Sequence, residues 1–128
     1  SQCRQMCADV KFTRTVEESK ALANISYPHI IISASGMATG GRVLHHLKRM
    51  VTNHRNSIVF AGYQAGGTRG QKLLKGNRSI RIFGQDVGVK ASIFKIPGFS
   101  AHADYSEMID WLSEAQEFHP KNVFVYYS

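Results

Sequence analysis

The sequence predicts an α/β fold: a largely parallel sheet flanked by helices. Three observations predict it. Apolar runs of strand length alternate with segments of helical periodicity, in the order β-α-β-α-β-α-β-β-α-β. Two of the runs, "HIIISA" and "SIVFAG", are almost continuously apolar, as strands buried on both faces are. Each is followed by a glycine-rich turn, "SGMATGG" and "GYQAGG", that leads into a helical segment.

The elements follow in order. Val10 to Thr13 reads as a short strand. Thr15-Val-Glu-Glu18 is a T-x-x-E capping box, so a helix is expected from about Val16 to Asn24. Pro28 blocks its continuation. The first buried strand starts at His29. After the Ser35–Gly41 turn, Val43, Leu44, Leu47, Met50 and Val51 recur at helical spacing. Ser57 to Gly62 is the second buried strand, Gly70 to Lys75 a short helix and Ser79 to Phe83 a third strand. Val87 to Ile96 reads as one longer strand with polar residues interleaved. A helix from Tyr105 to Ala115 places Met108, Ile109 and Leu112 on one face, and Asn122 to Tyr127 is again a strand. Nothing follows that strand to cover it, which reads as a cut through a larger protein.

The 128 residues, 43% of them apolar, suffice for one domain with one core. No apolar run approaches the ~18 residues of a membrane span. The N-terminal SQCRQMCADVK lacks a signal pattern, so a cytoplasmic location is expected. Cys3 and Cys7 have no second Cys or His pair nearby and read as reduced thiols. The net charge of +7 suits a polyanionic partner, although dispersed basic residues equally make a solvated face.

Four elements invite chemistry. The turn "SASGMATGG" follows a buried strand and precedes a helix. Its backbone N–H groups and the hydroxyls of Ser33, Ser35 and Thr39 suit an oxyanion or phosphate. A plain connection with Thr39 as N-cap is the alternative. His45 and His46 are adjacent on a helix, point about 100° apart, and are read as structural. The loop "GYQAGGTRGQK" brings Arg69 and Lys72 to a flexible segment, either for a phosphate or for solvent. Finally, "GFSAHAD" places His102 just past a strand, where open α/β sheets favour ligands. His102 reads as a core ring, a metal ligand or a general acid. Asp104 orients that ring or, preferably, caps the next helix.

Taken together, "KFTRTVEESKAL", "IIISASGMATGGRVLHHLK", "VFAGYQAGGTRGQKLLKG", "IRIFGQDVGVKA" and "GFSAHADYSEMIDWL" resemble the β-CASP branch of the metallo-β-lactamase superfamily. These are RNA-processing nucleases related to the endonuclease subunit of the cleavage and polyadenylation machinery. The resemblance covers about Lys11 to Val125. It implies a fragment of a zinc-dependent ribonuclease, with residues 1–86 the later part of the β-CASP domain and 87–128 a return into the metallo-β-lactamase domain. It implies that His102 is the motif B histidine, a proton donor to the leaving oxygen or the holder of the site's hydrogen bonds. Ser100 and Asp104 would support it or cap the helix. It further implies that Ser33, Ser35, Gly36, Met37, Thr39 and Arg69 hold an RNA phosphate. Two zinc ions are implied for the full-length protein. None is expected in this chain, because the His-x-His-x-Asp-His motif is absent and Tyr127 stands where the family has a zinc-binding histidine. The expected partners are RNA, the missing metallo-β-lactamase domain and, for the isolated chain, a second copy; no membrane is expected. The chain alone is therefore expected to be inactive. The alternatives are a non-catalytic RNA-binding scaffold of the same family and a small-molecule binder using the Ser35–Gly41 turn.

Overall fold

The capping box forms as its sequence dictates. In the computed structural model, which describes residues 11–96 and the backbone of 122–127, Thr15 accepts from the Glu18 N–H. The Glu18 carboxylate accepts from the Thr15 N–H in return, opening helix α1 (Val16–Ala21). A 3₁₀ turn, Leu22–Asn24, continues it to the expected end. The strand expected at Val10–Thr13 does not form over its described part, Lys11 to Thr13. Phe12 is 82% exposed, so a strand there has no core to cover.

Strand β1 (His29–Ser33), helix α2 (Val43–Met50), strand β2 (Asn56–Ala61) and the short helix α3 (Arg69–Leu74) follow in the expected order. All apolar residues of the expected α2 stripe are buried: Val43, Leu44, Leu47, Met50 and Val51. They pack with Ile31, Ile58 and Phe60 on one face of the sheet. Each such fully buried side chain contributes about 1.5–3 kcal/mol. Strand β2 is the middle of this core, with Ile58 through Ala61 all buried, as its uninterrupted apolar run requires.

The segment Val87–Ile96 corrects the sequence reading. It is two strands, β4 (Gln85–Gly88) and β5 (Ser92–Ile96). The first pairs antiparallel with β3 (Ser79–Ile82) through a two-residue turn in which Phe83 and Gly84 both have positive φ, 50° and 73°. Such a turn matches the twist of a hairpin. The chain then leaves the hairpin, because the N–H groups of Lys90 and Ala91 donate to the Val51 carbonyl at the end of α2. From there β5 runs parallel to β2.

The main sheet has the order β1-β6-β2-β5, with β6 (Asn122–Tyr127) between β1 and β2 and every pair parallel. Strand β1, expected to be buried on both faces, instead lies at the edge of this sheet, with Ile31 buried and Ile30 exposed. Ser33 pairs with Tyr126, Tyr126 with Phe60, and Ala61 with both Tyr127 and Ile96. The C-terminal ends of all four strands therefore stand level along one edge. The boundary expected at residue 86 falls inside β4, and strands from both sides of it share this sheet. Among the described residues no helix is long and apolar enough to cross a membrane.

Candidate functional site

The turn after β1 is held from one side. Gln64 Nε2 donates to the Gly36 carbonyl at 2.8 Å. The Gly70 N–H donates to the Met37 carbonyl at 3.1 Å. Arg69 Nη1 is shared between the carbonyls of Ala38 and Thr39, at 3.3 and 3.4 Å. Four consecutive carbonyls thus face the loop that links β2 to α3.

A trans peptide places its N–H opposite its C=O. No peptide bond here is cis. The N–H groups of Met37, Thr39 and Gly40 accordingly lie on the side away from that loop, with no acceptor among the described residues. The Ala38 N–H instead closes the turn onto the Ser35 carbonyl at 2.9 Å. Ser35 and Ala38 have φ of 72° and 54°, so left-handed residues interrupt the run. Concavities of this kind, with successive N–H groups turned one way, attract anions.

Each expected site residue has a definite place. Ser33 ends β1, and its hydroxyl donates to the Ala34 carbonyl. The Ser35 hydroxyl donates across the turn to the Gly40 carbonyl at 3.3 Å. Gly36 is buried, Met37 half-buried and Thr39 exposed. Thr39 is not the helix N-cap. That position falls to Arg42, which makes no side-chain cap bond, because Gly40 and Gly41 carry the turn two residues further. Arg69 lies beside the turn with its guanidinium on carbonyls, including that of Arg81 at 2.6 Å from Nε. His102, Ser100, Asp104 and the helix expected at 105–115 lie outside the described residues.

The paired histidines part as their helical spacing requires. His45 is exposed, its ring 4.7 Å from that of Phe83. His46 is buried, its Nε2 2.8 Å from the Ser19 hydroxyl. Burial first, and then the nearby Arg49, hold its pKa below the ordinary imidazole value. Neither ring belongs to the turn.

Gln64 is the residue that sequence reasoning missed. It is 7% exposed, yet nothing in its own loop shows what its amide holds. The available signal was a long amide directly after a buried strand, among glycines.

The comparisons with known proteins decide the family. Residues 1–73 match the model of the Beta-Casp domain. The chain belongs to the β-CASP family of metallo-hydrolases. Residues 86–125 match a second model, the Zn-dependent metallo-hydrolase RNA specificity domain. The chain is similar to Ribonuclease TTHA0252 of Thermus thermophilus, 40% identical over 82% of this chain and 24% of that protein. It is similar to the transcription termination factor FttA of Methanococcus maripaludis, 34% identical over 80% of this chain and 17% of the factor. An RNase J-like protein of Methanocaldococcus jannaschii is 38% identical over 68% of this chain and 20% of its own length. The chain thus spans a quarter or less of each of these relatives.

The family is zinc-dependent by the description of that second domain. Among the described residues, no three His, Cys, Asp or Glu side chains gather to hold a metal ion. The described residues do not by themselves form a zinc centre.

Proposed function

We propose that this chain is part of a zinc-dependent ribonuclease hydrolysing RNA phosphodiester bonds, and that the turn after β1 holds a phosphate of the RNA. One observation carries the proposal. The parallel sheet brings the ends of β1, β2, β5 and β6 to one edge, and the turn there has three backbone donors with no acceptor among the described residues. The N-terminal end of α2, just behind the turn, adds the positive end of its dipole. Arg69 adds a cation beside it. Among the described residues the ion pair is Arg81–Asp86, at 3.4 Å, and no described carboxylate pairs with Arg69.

His102 follows Ile96 by six residues in sequence. Even fully extended, those six residues span no more than about 20 Å, so the sequence separation keeps the histidine within that reach of the end of β5. Its proposed part is to protonate the leaving oxygen or to hold the hydrogen bonds around it, with Ser100 and Asp104 in support. The zinc ligands belong, on this reading, to parts of the protein beyond the described residues. The 128 residues alone are then inactive. Residues 1–86 are assigned to the later β-CASP domain and 87–128 to the returning segment, an assignment supported by the extents of the two family-model matches.

A cytoplasmic location and RNA as partner accompany this reading. In the full-length protein the metallo-β-lactamase domain would complete the structure. In the isolated chain, a second copy would cover the edge strands β1 and β5, which carry the exposed Ile30 and Phe94.

Cleavage of labelled single-stranded RNA by the full-length protein, with zinc and after chelation, tests the proposal. Zinc-dependent cutting supports it. RNA binding with steep salt dependence but no cutting, at any zinc level, replaces it with the scaffold reading, which Tyr127 in place of a histidine favours.

A further inference from the structure

Ser35 and Ala38 hold left-handed backbone conformations that L-residues seldom adopt. Such conformations persist where the surroundings over-determine them. The surroundings here are donors from one loop and the first turn of α3. Gln64 fixes the Gly36 carbonyl, Gly70 the Met37 carbonyl, and Arg69 those of Ala38 and Thr39. Arg69 is itself anchored through Nε to the Arg81 carbonyl in β3.

Gln64 is not a residue that core packing alone would select. Its Oε1 is buried with no hydrogen-bond partner among the described residues. A buried polar atom left unpaired is a liability that an apolar side chain of the same size avoids. What the amide supplies in exchange is one bond, Nε2 to the Gly36 carbonyl, linking residues 28 apart in sequence.

We propose that Gln64 and Arg69 are positioning residues for RNA: by holding the carbonyls of Gly36, Ala38 and Thr39, they aim the turn's N–H groups at the phosphate. This rests on the phosphate-binding reading of the turn and deepens it. It differs from the expectation that Arg69 contacts the phosphate itself, because the guanidinium is engaged with carbonyls.

The test uses the full-length protein and a cleavage-resistant 2′-O-methyl RNA of about 12 nucleotides, with affinity measured by fluorescence anisotropy across a salt series. For single strands, the log–log salt slope changes by about 0.7 for each phosphate the protein ceases to neutralise. Gln64→Met keeps the volume and removes the donor. Arg69→Ala removes the whole fork, and Arg69→Lys keeps the charge but not the fork. Gly40→Glu places a carboxylate beside the turn, where the space around Gly40 is open.

The expected result is binding weakened about tenfold in Gln64→Met, Arg69→Ala and Arg69→Lys, the scale of one hydrogen bond. The salt slope stays that of the wild type. Three results overturn the inference. Wild-type affinity in the Gln64 and Arg69 variants, with binding abolished in Gly40→Glu, leaves the phosphate site standing and removes the positioning role. A slope reduced by about 0.7 in Arg69→Ala, with Arg69→Lys restoring it, makes Arg69 a direct phosphate ligand. Wild-type binding in all four variants removes the phosphate reading itself. Should Gln64→Met fail to fold, the two Arg69 variants decide alone, since their side chain is only half-buried.

Discussion

Replacing Gly70 by alanine puts a methyl carbon where Gln64 already sits. A Cβ at position 70 would overlap Gln64 Oε1 outright, and would lie 2.7 Å from its Cδ and 3.2 Å from Phe60 Cε1. The approaches to Gln64 are far inside van der Waals distance, and Phe60 is fully buried and has little room to yield. The amide must therefore move, and its bond to the Gly36 carbonyl goes with it. Overpacking of a tight interior costs about 2 kcal/mol. The broken bond, with two buried polar groups left behind, costs about 2 kcal/mol more. Alanine returns at most about 1 kcal/mol of helix propensity over glycine. The net loss is about 3 kcal/mol, read as a lower midpoint in urea denaturation. A double-mutant cycle isolates the cause. In a Gln64→Ala background the space is vacant and the bond already gone, so Gly70→Ala becomes nearly neutral, with a coupling of about 3 kcal/mol. Additive effects would refute the reasoning, and so would a Gly70→Ala protein as stable as the wild type.

Thr15→Ala removes the α1 cap and lowers stability by about 1 kcal/mol, measured by the same denaturation. His46 gives a pH dependence. Its pKa is lowered in the folded state, so the unfolded chain takes up a proton first. The stability held above about pH 6.5 falls as the pH drops below that value and on through the lowered one. In His46→Leu this part of the slope disappears from a denaturation series across that range. Phe83→Asn puts a residue suited to left-handed φ into the β3–β4 turn but removes the stack on His45. The two effects oppose each other at about 1 kcal/mol apiece. Adding His45→Ala to both backgrounds exposes the turn's gain alone, as a higher melting temperature.

Local chemistry was legible in the sequence. Thr15 and Glu18 are three residues apart and make their bonds within that span, so the capping box could be read directly. The apolar run of β2 and the stripe of α2 identify their burial without knowledge of their neighbours, whereas the equally apolar run of β1 lies at the edge of the sheet, with Ile31 buried and Ile30 exposed. Failures occur where the deciding partner is distant. Val87–Ile96 reads as one strand because its alternation runs through Gly88. It breaks because Val51, some forty residues earlier, takes the N–H groups of Lys90 and Ala91. From its charge Arg69 reads as a cation for a phosphate or for solvent, and no local pattern announces the carbonyls it meets. Its side chain meets carbonyls 12 to 31 residues away. Thr39 is a sound N-cap type, yet two glycines after it extend the turn and delay the helix to Val43. Gln64 carried only a weak local mark, a long amide among glycines, since its bond reaches a carbonyl 28 residues away.

The sheet edge unites these findings. On the proposed reading, the phosphate donors come from the turn after β1, the groups that hold them from the loop after β2 and the start of α3, and the histidine from the segment that follows β5 in sequence. If the account is right, the first two bind RNA and the third acts on it. The measurement is single-turnover cleavage of labelled single-stranded RNA by the full-length, zinc-loaded protein with His102→Ala, at saturating enzyme. The account predicts a rate lower by about 10²-fold at unchanged RNA affinity, the scale of a missing general acid. A variant that cleaves at the wild-type rate would contradict it.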